Sequence, residues 1–189
     1  MNPFAVLDLP ECAALDSEAL RARFQELSRT HHPDKQTKEA SSDNSFAEIN
    51  EAYQKLQTSG RRLKALLELR FPETLELKGS LPEGMLDLFS QIGSALQEAD
   101  AFIAKKSRAT TMLAEALLAP ELIKTQRRLG EAGTLIKARL DLAESRLPEI
   151  DSLLTSENAT LAPISALCRE FLYLEKWQGQ IQARFHELI

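Results

Sequence analysis

Apolar residues recur along this chain at helical spacing, and the breaks between the recurring stretches divide it into segments. Asn2 precedes Pro3 and Phe4, a capping side chain before a residue that loses nothing at the first helical position, so a short helix is predicted over about Pro3 to Leu7. Asp16 can cap a second helix in which Leu20, Phe24, Leu27 and His31 share one face. Pro33 ends that helix, because its ring pushes His32 out of the α region and it has no N–H for the ladder. His32-Pro33-Asp34 is therefore loop. The polar stretch from Lys35 to Ser45 contains Ser41-Ser42-Asp43-Asn44, turn and capping residues that open a third helix. Its stripe of Phe46, Ile49, Tyr53 and Leu56 is the natural partner of the second helix's stripe, in an antiparallel hairpin. Ser59-Gly60 interrupts the pattern, and Arg61 to Arg70 predicts a fourth helix carrying Leu63, Leu66, Leu67 and Leu69.

From Phe71 to Pro82 the chain has prolines, a Gly-Ser pair and no sustained period, the composition of a linker. Beyond it, Leu86, Phe89, Ile92, Leu96, Ala99 and Ile103 mark one amphipathic helix. Leu122, Leu129, Ile136, Leu140, Ala143 and Leu147 mark a second, running until Pro148. Ile164, Leu167, Phe171, Leu174, Ile181, Phe185 and Leu188 mark the last. None of these helices can bury its stripe alone, so a three-helix bundle is expected. Residues 107–120 fit either a separate helix or an extension of the first bundle helix. The expected organisation is an amino-terminal helical unit over 1–71, a linker over 72–82 and a helical bundle over 83–189.

Composition agrees with an all-α fold: 43% of the 189 residues are hydrophobic and only 6% aromatic, with seven glycines and eight prolines. The net charge of −5 gives the whole molecule no long-range attraction for phosphate backbones or anionic lipid, which argues against nucleic acid and membrane partners. The first twelve residues include Asp8 and Glu11 and no basic side chain, unlike a signal or transit peptide, so a cytoplasmic location is expected. Cys12 and Cys168 stand far apart without a C-x-x-C partner, which fits reduced thiols rather than a zinc ribbon or a disulfide framework.

His31-His32-Pro33-Asp34 is the stretch that calls for a chemical reading. A metal site needs convergent ligands, yet adjacent histidines point apart and His186 is the only other one. A catalytic His/Asp pair needs a nucleophile or a substrate pocket, and no G-x-S-x-G, P-loop or dinucleotide fingerprint is present. Helix termination explains Pro33, but not a polar tripeptide at the tip of a hairpin flanked by Arg21, Arg23 and Arg29.

His32-Pro33-Asp34, set between a helix bearing Leu20, Phe24 and Leu27 and one bearing Ile49, Asn50, Ala52, Tyr53 and Leu56, resembles the J-domain of DnaJ-type co-chaperones. The resemblance implies a domain that docks on the ATPase of a DnaK-type chaperone and stimulates its hydrolysis of ATP, so that the partner and not this chain is the enzyme. It places His32, Pro33, Asp34, Arg21, Arg23, Arg29 and Lys35 at the chaperone contact. Asp34 would then be a fixed acceptor for a partner's arginine, and the basic side chains would speed the encounter.

A narrower likeness extends further. Phe4-x-x-Leu7, Arg23-Phe24-Gln25-x-Leu27-x-Arg29, His32-Pro33-Asp34-Lys35, Ala47-x-Ile49-Asn50-x-Ala52 and Arg169-x-Phe171-Leu172-Tyr173-Leu174-Glu175-Lys176 are similar to HscB, the J-type co-chaperone of iron–sulfur cluster assembly. This implies an IscU-like scaffold protein as client and an HscA-type chaperone as partner, with no cofactor of the chain's own. It puts scaffold contacts at Met85, Leu86, Asp87, Phe89 and Tyr173, with Trp177 able to extend the patch. Bundle core is the competing reading for Met85, Leu86 and Phe89, whose spacing is that of an inward stripe. The chain departs from the family at Ser90 and Gly93, where glutamates are usual, at His31, where tyrosine is common, and in the additional residues 107–120. The alternatives are a J-domain co-chaperone with another client and a metal-dependent or His/Asp hydrolase.

Overall fold

The computed structural model describes residues 1–31, 41–72, 82, 84–156 and 161–189, with the side chains of 41–45 not described. Among these residues every regular element is an α-helix and there is no strand. The order is α1 (Pro3–Val6), α2 (Ser17–Thr30), α3 (Ser41–Leu56), α4 (Ser59–Arg70), α5 (Leu86–Lys106), α6 (Met112–Glu144), α7 (Leu147–Thr155) and α8 (Leu161–Leu188).

The helix starts follow from their caps. The Asn2 carboxamide oxygen accepts the N–H groups of Phe4 and Ala5, the Asp16 carboxylate accepts that of Glu18, and the Thr58 hydroxyl accepts that of Arg61. The Thr58 cap draws Ser59 and Gly60 into α4, so the Ser-Gly pair opens this helix instead of separating it from α3.

The chain forms two compact units, residues 1–79 with 144–169, and residues 80–143 with 170–189. Phe4, Leu7, Leu20, Ile49, Ala52, Leu56, Leu63, Leu66 and Leu67 are buried in the first. Residues 144–169, which lie beyond the predicted linker, also belong to it. They bring buried Leu147, Ile150, Leu154, Ile164 and Leu167 and a set of polar ties. The Asp151 carboxylate accepts the backbone N–H groups of Ala13 and, at 2.9 Å, Ala14. The Ser59 hydroxyl donates to Glu144 at 3.2 Å, and the Cys168 thiol donates to the Gly60 carbonyl at 3.7 Å. Arg62 is buried and its guanidinium donates to the Ala13 carbonyl at 2.8 Å and to the Leu56 carbonyl and the Ser59 hydroxyl at 3.2 Å each.

The second unit packs α5, most of α6 and the later part of α8 around Met85, Ile92, Ala95, Ala99, Phe102, Leu129, Ile136, Leu174, Trp177 and Ile181. Three expectations are corrected here. The inward stripe of α5 runs through Met85, Ile92, Ala95, Ala99 and Phe102, so Leu86 and Phe89 lie off it and are exposed. α6 begins at Met112, and Pro120 lies inside it on the exposed side with Ala116, so the carbonyl that loses its helical donor faces solvent. Pro148 does not end the second bundle helix; α6 stops at Glu144, and Pro148 stands in the first turn of α7, where a missing N–H costs nothing.

Candidate functional site

In the first unit α2 and α3 run antiparallel. Phe24 stacks on Tyr53, with ring centroids 4.1 Å apart and planes inclined by 20°. Ser17, Leu20 and Arg21 at the start of α2 line one depression together with Gln57, Thr58 and Arg61 beyond the end of α3. Leu20 is fully packed, while Phe24, Leu27 and His31 are half-buried, so the α2 stripe meets the core only at its beginning. His32, Pro33, Asp34 and Lys35, which link these helices in sequence, lie outside the described residues.

Arg21 and Arg29 are exposed on α2. Arg23 differs: its guanidinium donates to the Leu7 carbonyl at 3.2 Å and pairs with Asp8 and Glu26 at 2.8 Å each. The Glu26 hydrogen bond is the main influence holding Arg23 above the ordinary guanidinium value, with desolvation opposing it. Three of the five N–H donors of Arg23 are therefore engaged inside the unit, tying α2 to the turn after α1.

On the second unit the five residues expected at the client contact separate. Met85 is 0% exposed and sits in the core, so its side chain is out of a partner's reach. Leu86 is 71% exposed and Phe89 50%, with Asp87 also at the surface in the first turn of α5, where a carboxylate complements the helix dipole. Tyr173 is half-buried on α8. Trp177 does not extend the patch outward: it is buried, and supports the patch from below, its ring centroid 5.8 Å from Phe89 and 5.9 Å from Tyr173. Ser90 is exposed and Gly93 half-buried on the same helix.

The opposite flank of α5 meets α6 in a groove of about 370 Å³ lined by Asp87, Leu88, Gln91, Leu135, Ala138 and Leu142 among others. Leu135 and Leu142 escaped the sequence analysis. Their signal was there, since both are large apolar residues off the inward stripe of α6, at 42% and 56% exposure. A further exposed apolar group, Met112, Leu113, Leu117 and Ile123, lies at the beginning of α6. Among the described residues no group of three or more His, Cys, Asp or Glu side chains is placed to hold a metal ion, and no helix is long and apolar enough to cross a membrane.

Residues 2–64 match the family model of the DnaJ domain, a stretch that takes in α1, α2 and α3 and the sequence between them. Over 70 residues the chain is 37% identical to a co-chaperone protein HscB homolog of Acinetobacter baylyi, an alignment that covers 37% of this chain and 41% of that relative. The chaperone HscB from Vibrio cholerae has the same fold over the full length of both chains, with a TM-score of 0.59 at 20% identity. These findings show a DnaJ domain over residues 2–64 and, over the whole chain, a fold like that of the Vibrio cholerae HscB; the chain spans about two fifths of the length of the Acinetobacter relative.

Proposed function

We propose that this chain stimulates the ATPase of an HscA/DnaK-type chaperone and delivers to it an IscU-like iron–sulfur cluster scaffold. The observation that carries the proposal is the position of His32-Pro33-Asp34 between two helices locked together by the Phe24–Tyr53 stack, inside the segment that matches the DnaJ domain. In this reading Asp34 accepts a charge-assisted hydrogen bond from a chaperone arginine, while His32 and Pro33 keep the shape of the loop. Arg21, Arg29 and Lys35 add positive potential, which speeds encounter more than it tightens binding. Residues 1–71 face the chaperone, and residues 80–143 with 170–189 supply the scaffold face.

Leu86, Asp87, Phe89 and Tyr173 form the scaffold contact in this proposal. Exposed apolar and aromatic side chains seated on a buried Trp177 have the make-up of an interface centre: a rigid aromatic support with one acidic neighbour. The chain itself performs no chemistry; both the hydrolysis and the cluster belong to its partners. Immobilised chain incubated with an IscU-type scaffold and an ATP-loaded HscA-type chaperone is expected to retain both. Retention of neither would overturn the proposal, and retention of the chaperone alone would point to a different client.

A further inference from the structure

We infer that the client-binding surface is not confined to α5 and α8 but continues over α5 into the groove against α6, with Leu135 and Leu142 as contact residues. The inference rests on the scaffold reading given above and extends it. Leu86, Phe89 and Tyr173 are each only partly exposed, and since aromatic side chains bury about 150–250 Å² each, together they offer on the order of 300 Å². A specific protein–protein contact needs about 800 Å² from each partner. The surface must therefore extend, and the structure limits the directions in which it does so with apolar area.

On the α8 side, Lys176 and Gln178 are exposed and polar. Across α5, by contrast, Leu135 and Leu142 stand two turns apart on α6 at 42% and 56% exposure, with Ala138 between them. Leu86, 71% exposed at the start of α5, adjoins Asp87 of the groove in sequence and stands one turn before Phe89 on the helix. Arg139 also lines the groove, but its guanidinium is taken by the buried Glu170 carboxylate. That leaves Asp87 as the groove's outward charge, so the occupant that fits is an apolar ridge of the scaffold carrying a basic side chain opposite Asp87. Leu135 and Leu142 are set well off the inward stripe, and replacing them removes contact area without opening the core.

The test is titration calorimetry of the full chain with the IscU-type scaffold, comparing wild type, Phe89→Ala and a Leu135→Ser/Leu142→Ser double variant whose helicity and melting are checked first. The expected result is a loss of affinity of about tenfold for the double variant, with its stimulation of the chaperone in the absence of scaffold unchanged. Weakening by Phe89→Ala with full affinity in the double variant would overturn the extension while leaving the scaffold reading intact. No binding by wild type would remove both.

Discussion

Phe24 on α2 and Tyr53 on α3 lie face to face, and their stack ties together the two helices that flank His32-Pro33-Asp34 in the sequence. Both rings are half-buried, so the contact works as a clasp at the edge of the core and not as part of its centre. Stacked aromatic pairs contribute about 0.5–1.5 kcal/mol beyond the area they bury. Tyr53→Ala is expected to destabilise the first unit by about 2 kcal/mol, measured by urea unfolding. It should also lower chaperone stimulation while the second unit keeps its helicity. Unaltered stability would show that the helices are held elsewhere.

Arg62 is the polar counterpart of that clasp. At 3% exposure it donates to two backbone carbonyls and a hydroxyl. Removing it leaves buried acceptors without donors, so Arg62→Ala should cost about 3 kcal/mol. Arg62→Lys should recover only part of this, because an ammonium does not reproduce the planar fork of a guanidinium. Equal stability for Lys and Arg at this position would refute the fork argument.

Burial, followed by the nearby Asp151 charge, pushes the Cys12 thiol above its ordinary value, with Arg62 opposing. The reactive thiolate is correspondingly scarce at neutral pH. Alkylation of Cys12 in the folded protein should be slower than in urea-unfolded protein at the same pH, and should speed up as pH rises. Mass spectrometry of the labelled peptides follows this directly, and equal rates in the two states would contradict it.

Tyr173 touches the buried Trp177 but is itself only half-buried, so its loss should spare the core. Tyr173→Ala is expected to weaken scaffold binding by about 1–2 kcal/mol in a calorimetric titration while the chain stays folded, with its helicity unchanged. Unchanged affinity would remove Tyr173 from the contact.

Much of the first unit was legible because its signals are local. Asn2 and Asp16 cap where a cap was expected, and Phe24 and Tyr53 meet as their stripes required. The second unit was harder to read, for physical reasons. Ile92 and Ala99 belong both to the expected α5 stripe and to the observed one, and only the packing against α6 and α8 decides whether Phe89 or Ala95 joins them. A small Ala95 carries little hydrophobic signal, yet it fills the seam, while the larger Phe89 is left on the flank. Pro148 was read as a stop, but a helix start favours it, and Pro120, inside α6, is tolerated because the carbonyl that loses its donor is exposed. The bond from Ala13 to Asp151 spans 138 positions, and nothing near either residue announces it. At the site, the tripeptide was recognisable from its frame, whereas the α6 side of the groove became visible only once α5 and α6 were packed.

The most direct test of the account is the steady-state ATPase rate of an HscA-type chaperone, measured with wild-type chain and with Asp34→Asn. The substitution keeps size and removes the charge, so a charge-assisted contact should be lost without loss of fold. Wild type is expected to accelerate hydrolysis, and the variant, with unchanged helicity and melting, to leave it at the basal rate. Full acceleration by Asp34→Asn would contradict the claim that this carboxylate engages the chaperone.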